Sequence, residues 1–197
     1  MHTLSTTFIL GYHGCDKSVA EELIAGESFL PSENDYDWLG HGIYFWEANP
    51  ARALDFTREL RLHSANIQIP YVVGAVIDLG YCLDLTSTAG IDAVEEGYES
   101  FAQFTAASGS QIPKNSGGPD LLLRKLDCAV INHIHALLKR KHEPPFDTVR
   151  GVFIEGDRIY ENSGFFKKTH TQICVCNPER IKAVFRLRKD QLQEIGL

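Results

Sequence analysis

Two amphipathic helical periods fill the middle of the chain, and every short β-branched or aromatic run lies outside them. This division limits the available folds more than any other feature. In the first period Ile91, Val94, Tyr98, Phe101 and Phe104 recur at spacings of three and four; in the second Leu122, Leu126, Ala129, Val130, Ile134, Leu137 and Leu138 do the same. Strand-like runs precede them at 8–12, 43–46 and 71–79, with 82–85 continuing after a turn at Gly80, and follow them at 148–155, 171–175 and 184–187. Strands at both ends with helices between do not give the regular alternation of a parallel sheet, so the predicted class is α+β. Asp16 is a predicted N-cap ahead of Val19, Ala20, Leu23 and Ile24, and Gly26 ends that helix. Asn49-Pro50 opens another helix with Ala53, Phe56 and Leu60 on one side, while 31–42 and 109–118 read as loops.

At 197 residues, 44% apolar and 23% charged, the chain is expected to form one domain over residues 1–197. No stretch reaches the roughly 18 apolar residues of a membrane span, and the N-terminus lacks a charged segment followed by a long apolar one. A soluble, cytoplasmic protein without a membrane partner is the expectation. Nineteen Lys and Arg against 26 Asp and Glu give a net charge of -7, which disfavours a general polycation but leaves a local basic groove open. The clusters Lys139-Arg140-Lys141-His142 and Arg180, Lys182, Arg186, Arg188 and Lys189 read as favourable charge at a helix end and as the solvent face of a strand. Five cysteines without a C-x-x-C indicate neither a disulfide framework nor a zinc ribbon, and Cys174 and Cys176 read as small buried residues on one strand face. The histidines at 133, 135 and 142 form no metal-ligand pattern, so no metal is expected.

Chemistry concentrates in two glycine-bounded motifs about thirty residues apart, Gly11-Tyr12-His13-Gly14 and Gly40-His41-Gly42-Ile43-Tyr44-Phe45, the second inside the longer string WLGHGIYFWE. Taken singly, the first is a turn histidine and the second a core strand. Together, in this order and spacing, they resemble the ADP-ribosyltransferase superfamily of the diphtheria-toxin and poly(ADP-ribose) polymerase type. There one strand ends in His-Gly, a second carries G-x-G-I-Y-F and a third, near the C-terminus, carries a glutamate. The resemblance covers nearly the whole chain in the order of its elements. It implies two small, mainly antiparallel split sheets forming an NAD cleft with flanking helices, NAD as co-substrate, and transfer of a single ADP-ribose with release of nicotinamide. It also implies His13 on a ribose hydroxyl, Gly14 clamping the nicotinamide amide, Tyr44 stacking on the ring, and further NAD contacts from Tyr12, Gly42 and Phe45. The chemistry suits these residue types. Cleaving the nicotinamide–ribose bond passes through an oxocarbenium-like state, so the site must hold ribose, grip the leaving ring and place negative charge near a developing cation. Imidazole bonds hydroxyls, a phenol ring offers a flat face, and the glycines at 40 and 42 allow close backbone approach.

The third motif departs from the pattern, because placing the strand 171–175 on the family's last strands puts Gln172, or its neighbour Thr171, at the glutamate's position. A glutamine orients hydroxyls but carries no charge and takes no proton. Glu155, at the end of a packed strand, is the favoured substitute over Glu161 in the loop beyond; its plainer reading is a surface acid. Arg150 reads either as a ligand of the NAD diphosphate or of a phosphate of the acceptor, or as a salt-bridge partner of Asp147. The loop 157–169, with Phe165, Phe166, Lys167 and Lys168, lies where the family reads its acceptor. It suits a nucleobase and its phosphate, RNA or DNA being preferred, with a protein acceptor as the alternative. By analogy, such a free-standing transferase is a toxin or phage-defence effector neutralised by an antitoxin protein. Two rivals are a catalytically silent NAD- or ADP-ribose-binding module and an NAD-dependent RNA 2'-phosphotransferase, which needs arginines beyond Arg150.

Overall fold

The structure is a computed structural model that describes residues 8–197; the first half of the N-terminal segment read for a leader, residues 1–7, lies outside the described residues. Elements run β1 (Phe8–Asp16), α1 (Lys17–Ala25), β2 (Ile43–Glu47), α2 (Pro50–Arg61), β3 (Pro70–Asp78), β4 (Cys82–Asp84), α3 (Thr88–Ala107) and α4 (Lys125–Arg140). They continue with β5 (Thr148–Phe153), β6 (His170–Val175), a 3-10 turn at Pro178–Arg180, β7 (Ile181–Arg186) and α5 (Lys189–Glu194). The α+β class is as expected. The Asp16 side chain accepts from the Ser18 amide at the start of α1, and Gly26 ends that helix at φ 109. Asn49 likewise caps α2 through the Arg52 amide, with Pro50 in the first turn.

Among the described residues, the expected pair of separate small sheets is corrected to one seven-stranded sheet of order β4-β5-β6-β2-β1-β3-β7, antiparallel except between β4 and β5. Its two halves meet at a narrow seam. β1 pairs with β3 from Phe8 to Asp16, but with β2 only where Gly11 faces Glu47 and Tyr12 faces Trp46. From there β2 turns to β6, with Tyr44 opposite Cys174 and Trp46 opposite Gln172. The strand therefore does not end at His13-Gly14 as predicted; what ends there is its pairing with β2, and the resulting gap opens a cleft.

Strand alternation sorts side chains between the two faces. Tyr44 and Trp46 of β2, Gln172 and Cys174 of β6, and Val149, Gly151 and Phe153 of β5 share one face by register. On that face α4 packs Val130, Ile131 and Ile134 against Val149 and Cys174. Beyond the seam, Ala53 and Leu54 of α2 pack against Tyr12, Trp46 and Val72. The opposite face buries Phe45, Ile43, Ile77 and Ile173. At the C-terminus, Lys189 lies in α5 rather than on the solvent face of a strand, and Arg188 precedes that helix.

Candidate functional site

A cavity of about 430 Å³ occupies the cleft between α2, the loop 30–42 and the β2–β6 face. Four side chains predicted to act together, His13, Tyr44, Glu155 and Gln172, all line it, as do Gly14 and Gly42. At the seam, His13 Nδ1 lies 2.9 Å from the Tyr44 carbonyl oxygen. A carbonyl only accepts, so Nδ1 carries the hydrogen; burial pushes the ring's pKa below its ordinary value and keeps it neutral. Nε2 is left as a bare acceptor, suited to a hydroxyl donor.

Tyr44 is held by its own hydroxyl, which accepts from the Leu39 amide at 3.0 Å and donates to the Gly40 carbonyl at 2.8 Å. Those bonds tie the 38–42 loop over the strand it precedes. Burial raises the phenol pKa well above its usual value, so the ring stays neutral. Gln172 is equally constrained, because Trp38 Nε1–H donates to its Oε1 at 2.6 Å. An indole nitrogen only donates, so the amide oxygen must face Trp38 and the NH2 group is the end left for a ligand. Gly151 makes room for this arrangement, since a Cβ there would stand 2.9 Å from the Trp38 ring.

Beyond Gln172 the cavity holds an ionic cluster that sequence reasoning missed. Arg52 Nη2 donates to both carboxylate oxygens of Glu155, at 3.3 and 3.1 Å, with each side chain 8% exposed. Glu59 lies 3.7 Å from Arg52 Nη1, and Lys168 joins Glu59 at 2.9 Å and Glu155 at 3.9 Å. Glu155 follows the end of β5 and is no surface acid. Glu161 is exposed and does not line the cavity. The signal for Arg52 was a charged residue beside the apolar stripe of Ala53, Phe56 and Leu60; for His170, which also lines the cavity, it was the period of two shared with Gln172 and Cys174.

Three expected NAD contacts fall elsewhere. Phe45 and Tyr12 are buried in the core and do not line the cavity: Phe45 alternates with Tyr44 onto the opposite face of β2, and Tyr12 is covered by Ala53 and Leu54 of α2. Arg150 sits on the opposite face of β5 from Gly151, where its guanidinium bonds Glu47 at 2.6 Å and Asp84 at 3.2 Å. Asp147 pairs with Arg180 instead, at 2.7 Å. The glycines also do other work. A Cβ at Gly14 would lie 2.4 Å from the Ala53 carbonyl oxygen, at Gly40 2.7 Å from Ile131, and at Gly42 2.5 Å from Cys174, so all three admit neighbouring elements. No cluster of three or more His, Cys, Asp or Glu among the described residues could hold a metal ion, and no described helix is long and apolar enough to cross a membrane.

No protein-family profile matches the chain, and no solved structure matches it. A 36-residue stretch, 18% of the chain, is 50% identical to part of an uncharacterized protein of Methanocaldococcus jannaschii, MJ0359, and spans 17% of that protein.

Proposed function

We propose that the cleft binds NAD and transfers its ADP-ribose to a macromolecular acceptor, nucleic acid before protein, releasing nicotinamide. The observation that carries the reading is the convergence of His13, Tyr44, Gln172 and Glu155, distant in sequence, on one cavity. In this reading His13 Nε2 accepts from a ribose hydroxyl, and the Tyr44 face stacks on nicotinamide. The bond from ribose C1' to the nicotinamide nitrogen breaks with its electron pair going to the departing ring, which becomes neutral. A nucleophilic atom of the acceptor forms the new bond to C1', and its proton passes to Glu155. Glu155 also supplies the negative charge near the cationic ribose that Gln172 lacks. Gln172, a donor only toward the cleft, orients an acceptor atom of the substrate.

In this reading a single transfer is expected from the lack of a carboxylate at position 172, since members of the resembled superfamily without that glutamate are not expected to elongate chains. The 2'-phosphotransferase reading loses its support, since Arg150 is committed on the far face of the sheet. The test is incubation with NAD labelled in its adenylate half, in separate reactions with RNA, single-stranded DNA and lysate protein. Label should enter one pool with wild type and none with His13→Ala; label in no pool would count against transfer.

A further inference from the structure

The cavity has two chemically different ends. His13 and Tyr44 form one; Trp46, Arg52, Glu155 and His170 form the other, displaced along β2 and β6 by about two residues, roughly 7 Å. Trp46, Arg52 and His170 are each more than nine-tenths buried, yet Trp46 Nε1, Arg52 Nε and Nη1, and His170 Nε2 have no hydrogen-bond partner. Buried polar groups are ordinarily paired, and leaving one unpaired is costly. Four such atoms on three side chains of one cavity wall mark a place where a ligand supplies the missing partners.

Their chemistry restricts that ligand. The Trp46 and Arg52 atoms are donors. His170 Nδ1 lies 2.6 Å from the Lys168 carbonyl and must carry the hydrogen; burial, the largest influence on the ring, lowers its pKa and keeps it neutral, so Nε2 is an acceptor. Three donors and one acceptor call for a group richer in acceptors than in donors, which excludes a guanidinium. Charge is already balanced, Arg52 and Lys168 against Glu155 and Glu59 within 3.9 Å, so the end has no spare cation for a phosphate. The walls are flat and aromatic: Trp46 and Phe56 lie 4.9 Å apart between ring centroids, and Phe153 and His170 5.4 Å. A planar, uncharged heterocycle with ring-nitrogen and carbonyl acceptors meets all three conditions.

We infer that this end is the acceptor subsite and takes a nucleobase of a single-stranded nucleic acid, which brings the base beside Glu155. The assignment of this base as acceptor rests on the transferase reading; the base pocket itself does not. Trp38 and Trp46 are the chain's two tryptophans and both line the cavity, so intrinsic fluorescence reports on it directly.

The experiment titrates wild type with short single-stranded RNA and DNA homopolymers of each base and, separately, with NAD. His170→Asn keeps a donor for the Lys168 carbonyl and deletes the Nε2 position; His170→Gln keeps a polar atom near Nε2. Quenching by oligonucleotides of one base, weakened tenfold or more in His170→Asn and largely restored in His170→Gln, with NAD affinity unchanged, is the expected result. Melting curves confirm that both variants are folded, and Arg52→Lys gives an independent probe of the same pocket. No quenching by any oligonucleotide, with NAD affinity falling in His170→Asn as much as in Tyr44→Ala, overturns the inference and assigns this end to the adenosine half of NAD. Base-specific quenching without NAD binding keeps the pocket and removes the transferase reading; no response to either ligand removes both.

Discussion

Glu155→Gln keeps the shape of a side chain that is 8% exposed while removing the charge against which Arg52 is packed. Deleting one partner of a buried ion pair costs about 3–5 kcal/mol when nothing else compensates the remaining charge. Here compensation is partial. Glu59 stays 3.7 Å from Arg52, but it is 44% exposed and bonded to Lys168, and the new amide oxygen still accepts from Nη2. The loss therefore falls at or below the lower bound of that range, about 2–3 kcal/mol. In a domain of this size each kcal/mol lowers Tm by about 2–4 °C, so a drop of roughly 4–12 °C is expected. Arg52→Met strands Glu155 in turn, with Lys168 3.9 Å away as its remaining counter-charge. The double variant Arg52→Met/Glu155→Gln should be less destabilised than the sum of the single variants by about 1–3 kcal/mol. Urea unfolding followed by tryptophan fluorescence measures all four corners of the cycle. Single-variant losses below about 0.5 kcal/mol, or strict additivity, would show the pair to be solvated and refute the claim that Arg52 fixes Glu155.

Gly14→Ala forces a methyl group against the backbone of α2, so a loss of about 1–3 kcal/mol is expected, whereas Gly164→Ala, with nothing within 4 Å, should stay within about 0.5 kcal/mol; thermal melts compare them. Burial lowers the pKa values of His13, His133 and His170, so these rings resist protonation when folded and accept a proton near pH 6.5 when unfolded. Below that pH the unfolded chain binds more protons; stability measured by denaturant unfolding should be full above about pH 6.5 and decline as pH falls. A midpoint that rises on acidification from pH 7 to 5.5 would contradict this. Trp38→Phe removes the bond that orients Gln172 while keeping most of the ring, and should cost about 1–2 kcal/mol and weaken NAD binding several-fold by calorimetry; unchanged affinity would mean that the amide orientation is irrelevant to NAD.

Local punctuation was the most legible part of the fold. Asp16, Gly26 and Asn49-Pro50 start and stop helices through short-range bonds that depend on neighbours in sequence. What depended on strand pairing was not legible. The β1–β2 seam, which opens the cleft, is a matter of register between residues more than thirty positions apart. Register also decides that Tyr44 faces the cavity while Phe45 faces the core, and that Arg150 turns away while Gly151 leaves space for Trp38. The two motifs announced His13 and Tyr44 because glycines and aromatics stand out at close spacing. Arg52 and His170 come from α2 and β6, where a single polar residue beside an apolar stripe looks like ordinary surface until the packing buries it.

Nicotinamide released from NAD by the purified protein, with and without the acceptor pool that takes up label, tests the central claim most directly. The account requires release that depends on that acceptor, is lost in His13→Ala and falls at least a hundredfold in Glu155→Gln at a temperature where the variant is folded. NAD bound in the cleft with no nicotinamide released under any condition would contradict transfer and leave a module that only binds the nucleotide.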